Sequence, residues 1–448
     1  MAYIPHTDTD RAEMLAAIGV DSLDQLFEAV PEANRFPALN LPEPMSEMET
    51  LWELQALADA NIAANTHPLF LGAGAYNHYS PSVINHMLLR GEFYTAYTPY
   101  QPELSQGTLQ AVFEYQSMIS ALTGMDSANA SHYDGATSLA EAVTVALAVS
   151  RGKRNKIILS SGVNPQYRAV TRTYHQGTGI KFVGDRSGRL STEDLLDMLD
   201  DSTAMFVVQY PNFFGQIEDF KGLANAVHRV GALLCVVVDP IALGMFKSPG
   251  ELGADIVVGE GQSLGIPLSF GGPYLGFFAT KTEYVRKIAG RIVGETIDND
   301  GRKAYVMTLR PREQDIKRDK ASSNICTNQG LLALASAIYM AVMGKHGLKR
   351  IAELCYHKSH YAAAEIAKIP SYSVQTKLPF FKEFVVQCPQ SVNSINATLM
   401  TKYGIIGGYD LSRDYPDREN QMLVAVTETN TRAEIDRLVV ALTAITRA

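Results

Sequence analysis

The tetrapeptide Gly135-Ala136-Thr137-Ser138 stands at the head of an apolar, helix-length run at 139–149. Glycine lets a backbone approach closely, and hydroxyls with free N–H groups at a helix start would face an anion. The same residues also read as a plain capping box between Ser138 and Glu141. Asp239 ends the β-rich run 233–238, at the edge where ligands of open α/β sheets sit. A buried carboxylate there would keep a ring nitrogen protonated, although Asp239-Pro240 is also good turn chemistry. Beyond the strand-like run 256–258 comes a Gly-rich loop at 259–273 that carries Gln262 but no lysine. Lys247 precedes that run and Lys281 follows the next one. A carboxamide cannot form an imine, so Gln262 cannot act as a lysine nucleophile would.

Two further segments carry candidate chemistry. In the loop 97–103, Pro99 and Pro102 restrict the backbone, so Tyr97, Tyr100, Gln101 and Glu103 can reach across an interface or pack within it. In the segment 303–320, Lys303, Arg310, Arg312, Lys317, Arg318 and Lys320 outnumber Glu313, Asp315 and Asp319. That is either a local basic face attracting an acidic partner or a solvated, internally paired loop.

The chain that must position these residues has 448 residues and a mass of 49.0 kDa, enough for about two to three domains. Lys+Arg total 39 against Asp+Glu 47, a net charge of −8 with pI 5.7. No long contact with nucleic acid or an anionic membrane is expected, and partners should be neutral, locally basic or small. Hydrophobic residues at 46% with charged residues at 19% exclude wholesale disorder. Cys235, Cys326, Cys355 and Cys388 are scattered, without zinc-type spacing, which predicts a reducing cytoplasm and no metal. The first residues lack a basic n-region and an apolar h-region, and the apolar stretch 331–343 is short for a membrane span. A protein neither exported nor membrane-embedded is expected.

The N-terminal segment reads as short helices: an acidic start at 8–10, a stop at Gly19, a Ser22-x-x-Gln25 capping box and a break at Pro31. Ser46-x-x-Glu49 should cap a helix that carries Leu51, Leu54, Leu57 and Ile62 at helical spacing and starts the main domain. Apolar runs at 157–159, 181–183, 205–208, 233–238, 256–258 and 274–279, separated by helix-length segments, predict parallel βαβ units. The tail is strand-like at 381–387, 405–409 and 422–426, with helices at 392–402 and after the Thr431-x-x-Glu434 box. The expected organisation is an arm (1–45), a large α/β domain (46–335) and a small α+β domain (336–448).

This layout resembles the fold-type I enzymes that use pyridoxal phosphate, with a large mostly parallel sheet and a smaller C-terminal α+β domain. A closer resemblance is carried by Phe70-Leu-Gly-Ala-Gly-Ala-Tyr76, Tyr97-Thr-Pro-Tyr-Gln-Pro-Glu103-Leu-Ser-Gln-Gly107, Asn129-Ala-Ser131, Gln262-Ser-Leu-Gly-Ile-Pro267 and the long stretch 312–329. These strings resemble the first subunit, or N-terminal half, of the glycine cleavage system P-protein. Aligned on Ile266-Pro267, the catalytic half's His-Lys-Thr sequence puts Gln262 at the lysine position. The resemblance implies the non-lysine subunit of a glycine decarboxylase, a dimer of heterodimers in which pyridoxal phosphate belongs to the lysine-bearing subunit 2. Glycine would lose carbon dioxide, and the aminomethyl group would pass to the lipoamide of the H-protein. Tyr97, Tyr100, Gln101 and Glu103 would then contribute to the partner's site, and Gly135, Thr137, Ser138 and Asp239 would line a vestigial pocket. Arg310, Arg312, Lys317 and Arg318 would offer the H-protein a docking face. The alternatives are a self-sufficient homodimer using an atypical lysine such as Lys281, and a noncatalytic regulatory scaffold.

Overall fold

The computed structural model describes residues 5–185, 190–321, 323–326, 328–375 and 377–447; Ser322 and Thr327 of the stretch 312–329 lie outside them. Strands β1 (Ser127–Ala128), β2 (Lys156–Leu159), β3 (Lys181–Val183), β4 (Thr203–Tyr210), β5 (Leu233–Val238), β6 (Ile256–Glu260) and β7 (Gly276–Thr280) form one sheet in the order β1-β7-β6-β5-β4-β2-β3. All six expected runs are strands, and β3, β2, β4, β5 and β6 are mutually parallel. The last run departs from the βαβ expectation. A helix-free loop connects β6 to β7, which therefore returns antiparallel and pairs in turn with β1.

Strands covered on both faces need continuous apolar sequence, and β4 and β5 have it. Phe206, Leu234, Val236 and Val257 point to one face, packed with Ile119 of helix Gln106–Thr123 and with Ala333 and Tyr339 of helix Gly330–Ile366. Val207, Cys235, Val237 and Val258 point to the other, with Leu139 and Val143 of helix Gly135–Val149.

A hairpin that the sequence patterning did not reveal, β8 (Ile292–Ile297) with β9 (Lys303–Thr308), takes in Lys303. Part of the basic segment is thus a strand rather than a loop. The C-terminal part is antiparallel: β10 (Ser373–Val374), β11 (Glu383–Gln387), β12 (Tyr409–Asp410) and β13 (Gln421–Ala425), in the order β10-β11-β13-β12. Phe384, Val424 and Leu438 share its core with Phe70, whose N–H donates to the Ile406 carbonyl at 2.9 Å.

The long apolar helix extends to Ile366, across the expected 335/336 junction, and its non-helical interior residue is Gly344, at φ 56°. Its length and a mean hydropathy of 1.4 would suffice to cross a membrane, yet Ala333, Tyr339, Ala352 and Cys355 lie in the core.

The chain divides into Met1–Ile62 and Ala63–Ala448. In the first unit, Thr7 and Asp10 cap helix Asp8–Ile18, Gly19 ends it in the left-handed region, and Ser46 and Glu49 cap helix Glu47–Asp59. That helix buries none of its residues, Leu51, Leu54 and Leu57 included. The Ser22-x-x-Gln25 box does not form. Gln25 instead accepts the Asp21 N–H at 2.6 Å above a 3-10 turn at Leu23–Phe27.

Candidate functional site

The expected anion cup is present as a helix start, but the Gly135 and Thr137 N–H groups and the Ser138 hydroxyl are already bonded. Helix Gly135–Val149 is capped by Asp134, which accepts the Thr137 N–H at 2.7 Å; the Ser138/Glu141 box is replaced by an Asp134/Thr137 box. Ser138 Oγ donates to the Asp134 carbonyl at 2.9 Å, and Glu141 accepts from Ser323. The Gly135 N–H donates to Glu260 Oε2 at 3.0 Å, while Glu260 Oε1 accepts the N–H groups of Gln262 and Leu275 at 3.0 and 2.9 Å. Burial pushes Glu260 up to about 7, against these three donors. A carboxylate of the chain itself thus occupies the place where an anionic ligand would meet the helix.

Asp239 follows β5 as expected and accepts the Ile241 N–H at 3.0 Å, so the turn reading is realised too. Its other oxygen lies 2.6 Å from Nζ of Lys382, a lysine only 2% exposed. The Lys382 ammonium also lies over the Tyr76 ring, 3.5 Å from its centroid, and 3.1 Å from His78 Nε2. An ammonium can only donate, so Nε2 accepts and Nδ1 is left to donate to Glu428 at 2.6 Å. Burial works to raise Glu428, but the hydrogen bonds from the His78 ring and the Tyr79 N–H hold it below the usual carboxylate range. His78, Cys355 and Glu428 converge closely enough to suggest metal ligands. The adjacent Lys382 cation makes them a hydrogen-bonded ion-pair relay instead.

Gln262 is buried and bonded on both sides: Oε1 accepts the Tyr76 N–H at 2.9 Å, and Nε2 donates to the Tyr76 and Ile266 carbonyls at 3.0 and 2.8 Å. The segment 70–76 therefore straps the small sheet to this pocket. Its Ala73 N–H and Tyr76 hydroxyl both donate to Glu383, which burial raises to about 7. Around Asp239 the remaining cavities measure about 30 and 20 Å³, roughly a water each. Pyridoxal phosphate does not fit. Its phosphate would meet Glu260, its ring nitrogen Lys382, and its aldehyde an amide.

The loop residues and the basic segment, separate in sequence, meet elsewhere. Tyr97 is 75% exposed at the mouth of a cavity of about 210 Å³. The Tyr100 ring has Arg291 and Arg310 within cation–π distance, at 5.7 and 5.2 Å, while Gln101 and Glu103 face solvent. Arg312 turns inward, donating to the carbonyls of Ile288, Gly290 and Leu309, so it is not part of an outward basic face. Lys317 and Arg318 are exposed. Lys281, the alternative lysine, follows Thr280, which pairs with Ile256 at the amino end of β6, and its ammonium donates to Asp255. Asp239 and Gln262 lie beyond the carboxyl ends of β5 and β6, so Lys281 is at the wrong edge of the sheet.

The sequence model of the glycine cleavage system P-protein matches residues 1–442. The chain belongs to the P-protein family. It is 54% identical over 445 residues, 99% of each chain, to the probable glycine dehydrogenase (decarboxylating) subunit 1 of Thermomicrobium roseum. It is 52% identical over 448 residues to the same subunit of Desulforamulus reducens, covering 99% of this chain and 100% of that one. The crystal structure of glycine decarboxylase (P-protein) of the glycine cleavage system, in inhibitor-bound form, superposes with a TM-score of 0.90 at 43% identity, covering 99% of this chain and 100% of that chain. A Burkholderia pseudomallei sphingosine-1-phosphate lyase, 15% identical with a TM-score of 0.67 over 93% of this chain and 94% of its own, shares the fold. That fold is the α/β, fold-type I architecture.

In this P-protein chain the sequence reading found Gln262 but not what surrounds it. Lys382, His78, Glu383 and Glu428 are scattered over 350 residues, with no local motif to join them. Glu260, two residues before Gln262, was the available signal: an acidic residue inside a loop that should serve an anion.

Proposed function

We propose that this chain is the subunit of a heteromeric glycine decarboxylase that lacks the Schiff-base lysine, with Gln262 in its place. It would work with a lysine-bearing subunit that holds pyridoxal phosphate and, with it, releases carbon dioxide from glycine and charges the lipoamide of the H-protein. The observation that carries the reading is the self-filled pocket: Glu260, Lys382 and Gln262 occupy the three polar positions of the cofactor in a chain otherwise built as a full fold-type I subunit. Such a chain supports a site it does not contain. Tyr97, Tyr100, Gln101 and Glu103 shape the partner's site. Arg310, Lys317 and Arg318 contribute positive charge to H-protein encounter, with Arg312 fixed behind them. The assembly is a cytoplasmic heterotetramer.

The test is glycine–bicarbonate exchange by each purified subunit and by the mixture, alongside sedimentation of each. Exchange confined to the mixture, together with a stable co-sedimenting complex, is expected. Full exchange by the lysine-bearing subunit alone, or a monomer indifferent to it, would overturn the proposal.

A further inference from the structure

The cavity beside the loop 97–103 has features that the supporting role above does not use. Its walls are mainly apolar, from Phe93, Val112, Val293, Met307, Leu331 and Leu334. One wall carries Arg291, which is only 5% exposed. Its Nη1 donates to Asn328 Oδ1 at 3.0 Å and its Nη2 points at the Tyr100 hydroxyl at 3.4 Å. Its Nε has no hydrogen-bond partner among the described residues and lies 3.9 Å from Glu313 Oε2. The Thr98 hydroxyl, also on the lining, is buried without a partner among them.

A second cation source is the helix Gly330–Ile366. Its N-cap residue Gln329 makes no side-chain capping bond, and Gly330 and Leu331 line the cavity. The first turn of a helix presents N–H donors and the positive end of its dipole. Arg291, Arg310 and Arg312 stand beside Glu313 and Asp315, three cationic side chains to two acidic ones among the described residues of this cluster. No Asp or Glu is among the described lining residues, so an ammonium group would find no counter-charge there.

We propose that this cavity is a binding site for a small monocarboxylate with an apolar body. The carboxylate would meet Arg291, the Thr98 hydroxyl and the first-turn N–H groups of Gly330 and Leu331, while the hydrocarbon would lie against Val112, Met307 and Leu334. A volume of 210 Å³ holds about seven water-sized groups at about 30 Å³ each, which suits a carboxylate on about four carbons. Glycine is disfavoured by its ammonium, and bicarbonate leaves the apolar wall unfilled. The site lies within this chain and does not depend on which subunit holds the cofactor.

The experiment is calorimetric titration of the full chain, alone and assembled with its partner subunit, using pentanoate as the probe and bicarbonate and 1-pentanol as controls. One saturable pentanoate site per chain is expected in both forms, bound about tenfold or more tightly than either control. Arg291→Met should weaken pentanoate by about tenfold or more, as befits a lost charge-assisted bond. Should that variant misfold, Ala111→Phe, which fills the cavity from its apolar side, and Thr98→Val carry the test; both should weaken pentanoate while the thermal midpoint stays near wild type. The proposal is overturned by any of four results: no saturable binding, equal binding of bicarbonate or 1-pentanol, full affinity in Ala111→Phe, or a site that vanishes on assembly.

Discussion

Glu260 and Lys382 do locally what a bound cofactor would do in a catalytic relative: they satisfy a helix start and a strand-end aspartate. Glu260 and Glu383 lie near 7 in the folded chain against an ordinary 4.5. The native state therefore keeps protons that the unfolded chain has already released, and stability falls as pH rises from 4.5 through 7. Glu428, held below the ordinary 4.5, has the opposite sign, and its contribution is lost as pH falls below 4.5. Glu260→Gln should flatten the decline of the urea midpoint between about pH 5 and 7.5; slopes matching wild type would refute the assignment. Lys382→Met leaves Asp239 uncompensated in a nearly closed pocket and should cost about 3–5 kcal/mol. Adding Asp239→Asn should restore part of that, and strictly additive losses in urea unfolding would show that the pair is not coupled.

At the scale of elements, the loop 97–103 is held by its prolines, by Gln106 Nε2 donating to the Pro102 carbonyl at 2.8 Å, and by the guanidinium groups about Tyr100. Little ordering remains to be done when its hydroxyls are presented to a partner. If they touch substrate or cofactor in the assembled enzyme, Tyr97→Phe and Tyr100→Phe should each lower exchange on the order of tenfold while assembly persists. Phe variants with wild-type exchange would confine the loop to packing. Tyr100→Ala, which also removes the ring between Arg291 and Arg310, should then weaken assembly instead.

For the whole molecule, the pocket is closed by three side chains, Glu260 and Gln262 at the end of β6 and Lys382 just before β11, so restoring a lysine is not enough. Gln262→Lys should not yield a reducible covalent adduct, because Glu260 still faces Gly135 and Lys382 still holds Asp239. Borohydride reduction and peptide mass analysis check this: a pyridoxyl-lysine in the single variant or in the natural chain would contradict the closed-pocket account. Combining Gln262→Lys with Glu260→Gly and Lys382→Met tests whether closure alone excludes the cofactor.

The strands β2 to β7, the caps at Ser46 and Thr431 and the missing lysine at Gln262 were all legible in the amino-acid sequence, because period, capping spacing and the absence of a nucleophile are local properties. The antiparallel return of β7, the hairpin β8–β9 and the exposure of Leu51, Leu54 and Leu57 were not, because pairing direction and burial depend on what the rest of the chain brings alongside. The same holds for function. Sequence determined that the loop 259–273 carries no lysine and has Gln262 in its place, since that depends on residue types at one place. Only the tertiary structure decided that Glu260 meets the start of helix Gly135–Val149 and Lys382 meets Asp239, and that Tyr100 lies beside both Arg291 and Arg310. Buried charges must find partners wherever the fold supplies them, and those partners lie up to 350 residues away along the chain.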